Sequence, residues 1–469
     1  MKVEQLYTGC LAEAAYYIES NGEAAIIDPL RETAPYMKKL EERGTKLKYI
    51  LETHFHADFV SGHIDLAKKT GATIVYGPNA VAEYDIYVAK DDEELKVGDV
   101  TIKVLHTPGH TMESSCFLLV DENAKDHGIF TGDTVFIGDV GRPDLAVKTD
   151  LSREDLARHL YDSIQNKIMP LADDVIIYPG HGKGSACGKN MSDETTDTLG
   201  NQKEKNYALQ PMEKEEFVAK VIDGLTPPPQ YFPKNALMNK KGYESFDKVI
   251  AQGLTALDAD TFEDVANAEG ALILDTRLPE EFVAGFIPNS IFVGIEGSFA
   301  SWVGTLIVDL NQPILFIADE GKEEEVVTRL SRVGYDNTIG FLKGGIEAWK
   351  AAGKELDKVN SVTPHDFAAK IENGETLNVV DVRRYSEYNQ GHLENAENIP
   401  LDYVNDNMTK FNRNTEYYMH CAGGYRSVVM ASILKARGFD KVVNIEEGFN
   451  ALQEKTNLPI ITDILEPEA

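Results

Sequence analysis

The chain has 469 residues, of which 42% are hydrophobic and 26% charged, and it carries a net charge of −31. A chain of this length is too long for one ordinary core, so we expect two to four domains. A surface this acidic repels phosphate backbones and anionic lipids, so we expect neither nucleic acid nor a membrane as a partner.

Features of the whole chain also indicate its compartment. No run approaches the roughly 18 apolar residues that a membrane span needs, and the start, MKVEQLYTGC, lacks the apolar segment of a signal peptide. The 4 cysteines are widely spread, with no CxxC pair, which favours a reducing compartment. We therefore expect a cytoplasmic protein.

The first half of the chain alternates strand and helix patterns. Two strand-like segments, AAYYIES and EAAIIDP, are joined by Asn21 and Gly22, a hairpin signal. The helical pattern APYMKKLEER ends at Gly44, and the strand LKYILET, the helix GHIDLAKKTG and the strand ATIVYG follow. This alternation predicts a layered α/β domain. The stretch TPPPQYFPKNALMNKKG is rich in proline and turn formers, so we place the domain end just beyond it and predict a first domain over 1–243.

The rest of the chain contains an internal repeat. The segment LILDTRLPEEFVAGFIPNS (272–290) aligns with NVVDVRRYSEYNQGHLENA (378–396). Asp275 then matches Asp381, and Arg277 matches Arg383. The repeat predicts two small α/β domains in succession, over 244–357 and 358–469.

Residues of the types that bind metals follow several strand-like runs in the first domain. In THFHADF they stand at alternate positions, so their side chains leave the same face of an extended segment. Further candidates occur in TPGHT, TGDT and YPGHG. Loops at strand ends gather distant residues into one site, so we predict a metal centre. Its candidate residues are His54, His56, Asp58, His110, Asp133 and His181.

The motifs THFHAD, TPGHT, TGDT and PGHG resemble the metallo-β-lactamase superfamily, in its glyoxalase II-like branch. The resemblance implies an αββα sandwich over residues 1–243, in which two metals often share Asp133. The second metal would need Asp58, His181 and a histidine at the position of Phe59. Because a phenyl ring donates no lone pair, we expect a single-metal site.

A mononuclear site is the mark of the persulfide dioxygenases in that branch, and the chain resembles them. The resemblance implies one iron(II) per chain, held by His54, His110 and Asp133 as the facial triad of non-haem iron oxygenases. Three coordination positions would stay open.

Other residues of the motifs would support those ligands. Spacing alone would make His56 a ligand, whereas the resemblance places it, with Asp58 and His181, beside the ligands, orienting solvent or substrate. Arg142, in GDVGRPDL, would bind a carboxylate of a thiol carrier. A structural salt bridge is the alternative role for Arg142.

The last domain contains YYMHCAGGYRSVVMASILKARG, in which an apolar strand ends at Cys421 and a helix begins at about Ser427. Backbone N–H groups, the helix N-terminus and Arg426 would stabilise an anionic thiolate or persulfide. The motif resembles the rhodanese family of sulfurtransferases, in which Cys421 would carry a sulfane sulfur. In the middle domain, laying ILFIAD on YYMHC puts Asp319 in place of Cys421, so we expect an inactive rhodanese copy.

Together these resemblances imply a persulfide dioxygenase that oxidises a low-molecular-weight thiol persulfide with O₂ to sulfite, in sulfide detoxification. The rhodanese would pass a sulfane sulfur through Cys421 to sulfite and give thiosulfate. We also expect a homo-oligomer. One alternative is a glyoxalase II-like zinc thioester hydrolase, disfavoured by Phe59. The other is a sulfur-carrier or scaffold protein with a vestigial metal site, disfavoured by the intact ligand set.

Overall fold

The computed structural model describes residues 1–146 and 151–462. The chain divides into two compact units, one of residues 1–248 with 330–334 and the other of residues 249–329 with the chain from 335 on. The exact domain bounds given above stay predictions. Within the described ranges, no helix has both the length and the apolar character needed to cross a bilayer.

The first unit contains two six-stranded sheets, ordered β1-β2-β3-β4-β5-β6 and β12-β11-β10-β9-β8-β7. The strands of the first sheet are β1 Lys2–Thr8, β2 Glu13–Ser20, β3 Glu23–Ile27, β4 Lys46–Glu52, β5 Thr73–Tyr76 and β6 Tyr87–Val88. Those of the second are β7 Glu94–Val97, β8 Val100–His106, β9 Ser115–Val120, β10 Asp126–Gly132, β11 Ile176–Pro179 and β12 Asp197–Thr198. The α-helices are α1 Ala34–Arg43, α2 His63–Thr70, α3 Arg153–Ser163, α4 Leu199–Lys205, α5 Lys214–Ile222 and α6 Phe232–Lys241.

The two sheets pack face to face, and helices cover their outer faces. Because side chains alternate along a strand, Tyr16 of β2 packs between the sheets with Phe117 of β9. The next residue, Tyr17, packs on the other face of β2 with Leu40 of α1. On the outside of the second sheet, Leu160 of α3 joins a separate apolar cluster. The predicted αββα sandwich is therefore confirmed.

Local signals placed most of these elements correctly. Asn21 and Gly22 have φ values of 45° and 80°, as the predicted two-residue hairpin requires, and Gly44 ends α1 with φ 62°. The interpretation of the segment after Thr226 as turn-rich is wrong for part of it, because α6 forms there. Pro233 lies in the first turn of α6, where a missing N–H group costs no helical hydrogen bond.

Residues 246–461 carry the remaining elements. The strands are β13 Ala256–Leu257, β14 Leu272–Asp275, β15 Ile291–Phe292, β16 Ile314–Ile317, β17 Thr338–Leu342, β18 Asn360–Val362, β19 Asn378–Asp381, β20 His392–Leu393, β21 Ala396–Asn398, β22 Tyr417–His420, β23 Val442–Ile445 and β24 Ile460–Ile461. The α-helices are α7 Phe246–Gly253, α8 Ala259–Glu269, α9 Pro279–Ala284, α10 Phe299–Leu306, α11 Glu323–Arg332, α12 Gly345–Ala351, α13 Pro364–Glu372, α14 Tyr385–Gln390, α15 Tyr425–Ala436 and α16 Gly448–Lys455.

The predicted internal repeat appears as two parallel sheets with the same strand order. They are β13-β17-β16-β14-β15 and β18-β23-β22-β19-β21. In the first, Arg277 Nη2 donates to Asp275 at 2.6 Å and to the Gly285 carbonyl at 3.0 Å. In the second, Arg383 Nη2 donates to Asp381 at 2.6 Å and to the carbonyl of residue 391 at 2.7 Å. The aligned residues thus make the same buried contacts in both copies.

Candidate metal centre and sulfur-transfer site

Three predicted metal ligands meet where strands of the first unit end. His54 follows β4, His110 lies between β8 and β9, and Asp133 follows β10. One potential ligand atom of each lies within 4.8 Å of the other two. Asp133 Oδ2 is 3.4 Å from His110 Nε2 and 4.0 Å from His54 Nε2. This arrangement could hold one metal ion.

The polar atoms of these side chains fit a metal. Within the described part of the chain, neither carboxylate oxygen of Asp133 has a hydrogen-bond partner, although both are buried. A buried carboxylate without a partner is costly. Burial and then the nearby His56 hold the pKa of His54 well below its usual range, so its imidazole is neutral and keeps a lone pair. Nδ1 of His110 lies 2.9 Å from a backbone carbonyl oxygen, which orients the ring as a ligand requires.

A second group of ligand-type residues lies beside the first. Potential ligand atoms of His56, Asp58 and His181 are within 4.8 Å of one another. His181 Nε2 is 3.3 Å from Asp58 Oδ2 and 3.5 Å from Asp133 Oδ1. Because this group could also contact a metal, the number of ions per chain stays a prediction.

Phe59 packs against His56, one of the three residues of that second group. Phe59 is fully buried, and its ring centroid is 4.3 Å from that of His56. His56 Nε2 lies 3.1 Å from Asp28 Oδ1 and 3.5 Å from Glu52 Oε2, at ion-pair distances but without hydrogen-bond geometry. Burial disfavours the charged imidazole, but the two carboxylates outweigh it and raise the pKa of His56 to about 10. His56 thus lies between the carboxyl groups of Asp28 and Glu52.

A side chain that the sequence did not reveal holds the loop with these ligands. Asn239 of α6 is 1% exposed. Its amide nitrogen donates to the carbonyl oxygens of His56 at 2.8 Å and Phe59 at 2.7 Å. Its Oδ1 accepts from the Ser61 N–H group at 2.9 Å. The sequence signal was weak, because Asn239 stands in the segment interpreted as turn-rich.

Arg142 lies next to the metal ligands but its guanidinium is already engaged. Nε and Nη2 donate to the Asp144 carboxylate at 2.7 and 2.8 Å. The remaining nitrogen, Nη1, donates to the Ala186 carbonyl at 3.2 Å. The structure therefore contains the salt bridge of the alternative interpretation, and substrate binding by Arg142 stays a prediction. Its backbone serves the site directly, because its carbonyl faces His110.

Cys187 is a further residue at this centre that the predicted site omitted. Its sulfur forms a group of potential ligand atoms with Asp133 and His181, all within 4.8 Å. The thiol is buried. Burial, followed by the charges of Asp58 and Asp133, holds the pKa of Cys187 well above its usual range. The sequence signal was its place six residues after His181.

In the last domain, the predicted sulfur-transfer residue lies in a short loop between β22 and α15. Cys421 Sγ accepts from the Gly424 N–H group at 3.1 Å, and Ser427 Oγ is 3.8 Å from it. Gly424 has φ 97°, in the left-handed region that favours glycine. The helix begins at Tyr425, two residues before the predicted start. The loop therefore aims a backbone donor at the sulfur.

Arg426 is close to this loop but is paired with an acid. Its Nη1 and Nη2 atoms both donate to the Glu387 carboxylate at 2.6 Å. Burial alone would raise the pKa of Glu387, but these hydrogen bonds and the charge of Arg426 lower it. Arg426, the cation predicted to stabilise Cys421, is thus paired with Glu387. Its role in sulfur transfer stays a prediction.

The middle copy has no thiol at the matching position, although the predicted alignment is wrong by one residue. Asp275 pairs with Ile317 in its sheet, as Asp381 pairs with His420 in the C-terminal copy. Ala318, not Asp319, therefore matches Cys421. Only the pairing of the strands sets this register. In the loop that follows, the Gly321 N–H group donates to the copy's own Glu323 carboxylate at 2.8 Å.

Comparison with known proteins agrees with this architecture. Residues 8–181 match the family model of the metallo-β-lactamase superfamily, and residues 258–352 and 363–455 each match that of the rhodanese-like domain. A crystal structure of a metallo-β-lactamase from Staphylococcus aureus subsp. aureus COL is 32% identical, with a TM-score of 0.64, and the match covers 73% of this chain and 98% of that one. The chain belongs to the metallo-β-lactamase superfamily and carries two rhodanese-like domains after its N-terminal domain.

Curated relatives of the N-terminal domain include proteins named for two different activities. A probable hydroxyacylglutathione hydrolase of Schizosaccharomyces pombe is 34% identical over 184 residues, which are 38% of this chain and 66% of the relative. The human mitochondrial persulfide dioxygenase is 32% identical over 176 residues, 37% of this chain and 65% of that protein. The chain thus spans slightly less than two thirds of either relative. Similarity at this level supports an enzyme of this superfamily and does not choose between the two reactions.

Proposed function

We propose that the chain is a non-haem iron persulfide dioxygenase coupled to a sulfurtransferase that forms thiosulfate. The observation that carries the proposal is Phe59. It is fully buried and lies against the His56 ring, where a second metal would need a histidine. With His56 facing Asp28 and Glu52, the second group keeps too few free donors for a tightly held ion.

In this function His54, His110 and Asp133 would hold one iron(II), which supplies the redox chemistry between O₂ and a persulfide sulfur. The overall reaction is RSSH + O₂ + H₂O → RSH + SO₃²⁻ + 2 H⁺. Asp58 and His181, whose Oδ2 and Nε2 atoms are 3.3 Å apart, would accept protons released beside the centre. Because His54, His110 and Asp133 are buried, the access of water to the reacting groups would be limited.

Sulfur transfer would take place at Cys421. Its thiolate attacks the outer sulfur of a persulfide, RSSH, and forms a Cys421 persulfide while the proton leaves with RSH. Sulfite then attacks the outer sulfur, so that thiosulfate forms and the Cys421 thiolate returns. The Gly424 N–H group, 3.1 Å from Sγ, would stabilise the anion in both forms.

A zinc thioester hydrolase is the second candidate. The group of His56, Asp58 and His181 favours it, because this group adjoins Asp133 on the side where a second ion would lie. The hydrolase name of the Schizosaccharomyces relative is in line with it.

Metal analysis of the anaerobically purified full chain, with oxygen uptake and thioester turnover measured on the same sample, tests these candidates. We expect one iron per chain and oxygen uptake that requires a thiol persulfide. Two tightly held zinc ions with thioester turnover would replace the proposal by the hydrolase. A chain without metal would instead favour a sulfur carrier or scaffold protein.

A further inference from the structure

The helix that follows Cys421 is covered from two sides. Every residue of α15 from 427 to 434 is buried, although a helix on the surface of a single small domain normally keeps one face in water. β22 and β23 of its own sheet cover one side, and β15 of the inactive copy covers another. The Phe292 N–H group of β15 donates to Ser432 Oγ of α15 at 2.9 Å. The inactive copy thus completes the core around this helix.

A second contact reaches the sulfur-transfer loop itself. Tyr425 is the first residue of α15 and directly follows Gly424, the donor to Cys421. Its hydroxyl donates to the Gly294 carbonyl of the inactive copy at 3.1 Å. Its ring meets the Phe292 ring edge-on, with centroids 5.6 Å apart. A Cβ atom at Gly294 would lie 3.3 Å from the Tyr425 ring, so the two copies are closely packed here.

The loop needs such an anchor for a physical reason. Gly423 has no neighbour within 4 Å of where a Cβ would be, and Gly424 is held in a left-handed conformation. Two successive glycines lose much conformational freedom when they are ordered. Within its own copy the loop is held by Ser427 Oγ, which donates to the Gly424 carbonyl at 3.1 Å, and by the Phe449 N–H group, which donates to the Cys421 carbonyl at 2.7 Å. Fixing Tyr425, the residue after Gly424, adds a further restraint on the N–H group that faces Cys421.

We propose that the inactive rhodanese copy is a positioning element for the active one, and that Tyr425 is the positioning residue through which it acts. By holding the Tyr425 hydroxyl on Gly294, the copy keeps the Gly424 N–H group directed at the sulfur of Cys421. The sulfur-transfer part of this inference rests on the proposed function; the order of the loop does not.

The test compares two full-length variants that lose similar hydrogen bonds. Tyr425→Phe removes the donor to Gly294, whereas Tyr335→Phe removes a buried hydroxyl that donates to the Ile307 carbonyl at 2.5 Å within the inactive copy. We expect thiosulfate formation by Tyr425→Phe to be about three- to tenfold slower than in the wild type. This is the factor that corresponds to the net free energy of one hydrogen bond. Tyr335→Phe should keep the wild-type rate of thiosulfate formation, even if its melting temperature falls as much as that of Tyr425→Phe. Equal rates in the two variants would overturn the proposal.

A substitution at Gly294, on the inactive copy's side of the contact with Tyr425, tests the proposal independently. Gly294→Ala leaves the active copy unaltered and places a methyl group 2.9 Å from the Arg277 carbonyl, 3.0 Å from the Phe292 ring and 3.3 Å from the Tyr425 ring, so the Gly294 segment must shift. It should slow thiosulfate formation as Tyr425→Phe does. Asp319→Ala, also in the inactive copy, should leave the rate unchanged. If Gly294→Ala behaves like Asp319→Ala, the contact does not position the loop.

Alkylation of Cys421 by iodoacetamide, followed by mass spectrometry, separates this inference from the proposed function. A loosened loop should expose the buried thiol, so Tyr425→Phe should react severalfold faster than Tyr335→Phe whether or not the wild type makes thiosulfate. A wild type without thiosulfate would refute the sulfur-transfer function alone. Equal alkylation rates would refute the positioning role alone.

Discussion

Replacing Asn239 by alanine should loosen the metal-binding loop. The substitution leaves three buried backbone groups without a partner, the carbonyls of His56 and Phe59 and the N–H group of Ser61. Each such group costs about 1–3 kcal/mol, and water entering the space would offset part of the sum. We therefore expect a loss of roughly 2–4 kcal/mol in the free energy of unfolding. Because all three groups lie in the loop after His54, we also expect metal affinity to fall about 10–100-fold.

Asn398→Ala is a control for this prediction. Asn398 lies in the last domain, and its amide nitrogen donates to the carbonyls of Asp381 and Arg383 at 2.9 and 2.8 Å. It makes the same kind of hydrogen bond to a segment that contains no predicted metal ligand. Both variants should lose stability in chemical denaturation, whereas only Asn239→Ala should lose metal in anaerobic chelator competition. An equal fall in metal affinity in both would refute the reasoning.

Four further predictions concern the two sites. His110→Ala should lose iron and oxygen uptake together, because one histidine and one carboxylate hold the ion poorly; retained iron by elemental analysis would remove His110 from the ligand set. Phe59→His should raise metal binding above one ion per chain in a metal titration; a stoichiometry that stays at one would show that the second site is remodelled beyond this single ligand. Cys421→Ser should leave oxygen uptake largely intact and change the product from thiosulfate to sulfite, because a serine hydroxyl cannot accept a sulfane sulfur; thiosulfate at the wild-type rate would direct attention to Cys187. Arg426→Ala should give a milder form of this change, measured by the same product analysis.

The predicted metal ligands could be found in the sequence because each follows an apolar strand-like run. Parallel and antiparallel strands of a layered domain end at shared edges, so residues just beyond them tend to meet. His54, His110 and Asp133 meet in this way. Similarly, the buried pair of Asp275 and Arg277 involves residues two apart, and its recurrence 106 residues later needs only a local comparison of the chain with itself.

Contacts between distant segments could not be read in this way. Asn239 reaches the His56 carbonyl across 183 positions, and Tyr425 reaches Gly294 across 131. Arg142 is an exception, because its acid partner is only two residues away, and the sequence nevertheless left its role undecided.

The amino-acid sequence by itself determined the layered first domain, the duplicated small domains and the residue types of both sites, because each depends on periodicity, turn residues or short motifs. Only the tertiary structure decided that Ala318 matches Cys421, since the register of a strand is set by its neighbours in the sheet. It also decided which groups engage Arg426 and His56, and which side chains hold the loops of the two sites. Those outcomes depend on how whole sheets and helices pack, and that information is distributed over the chain.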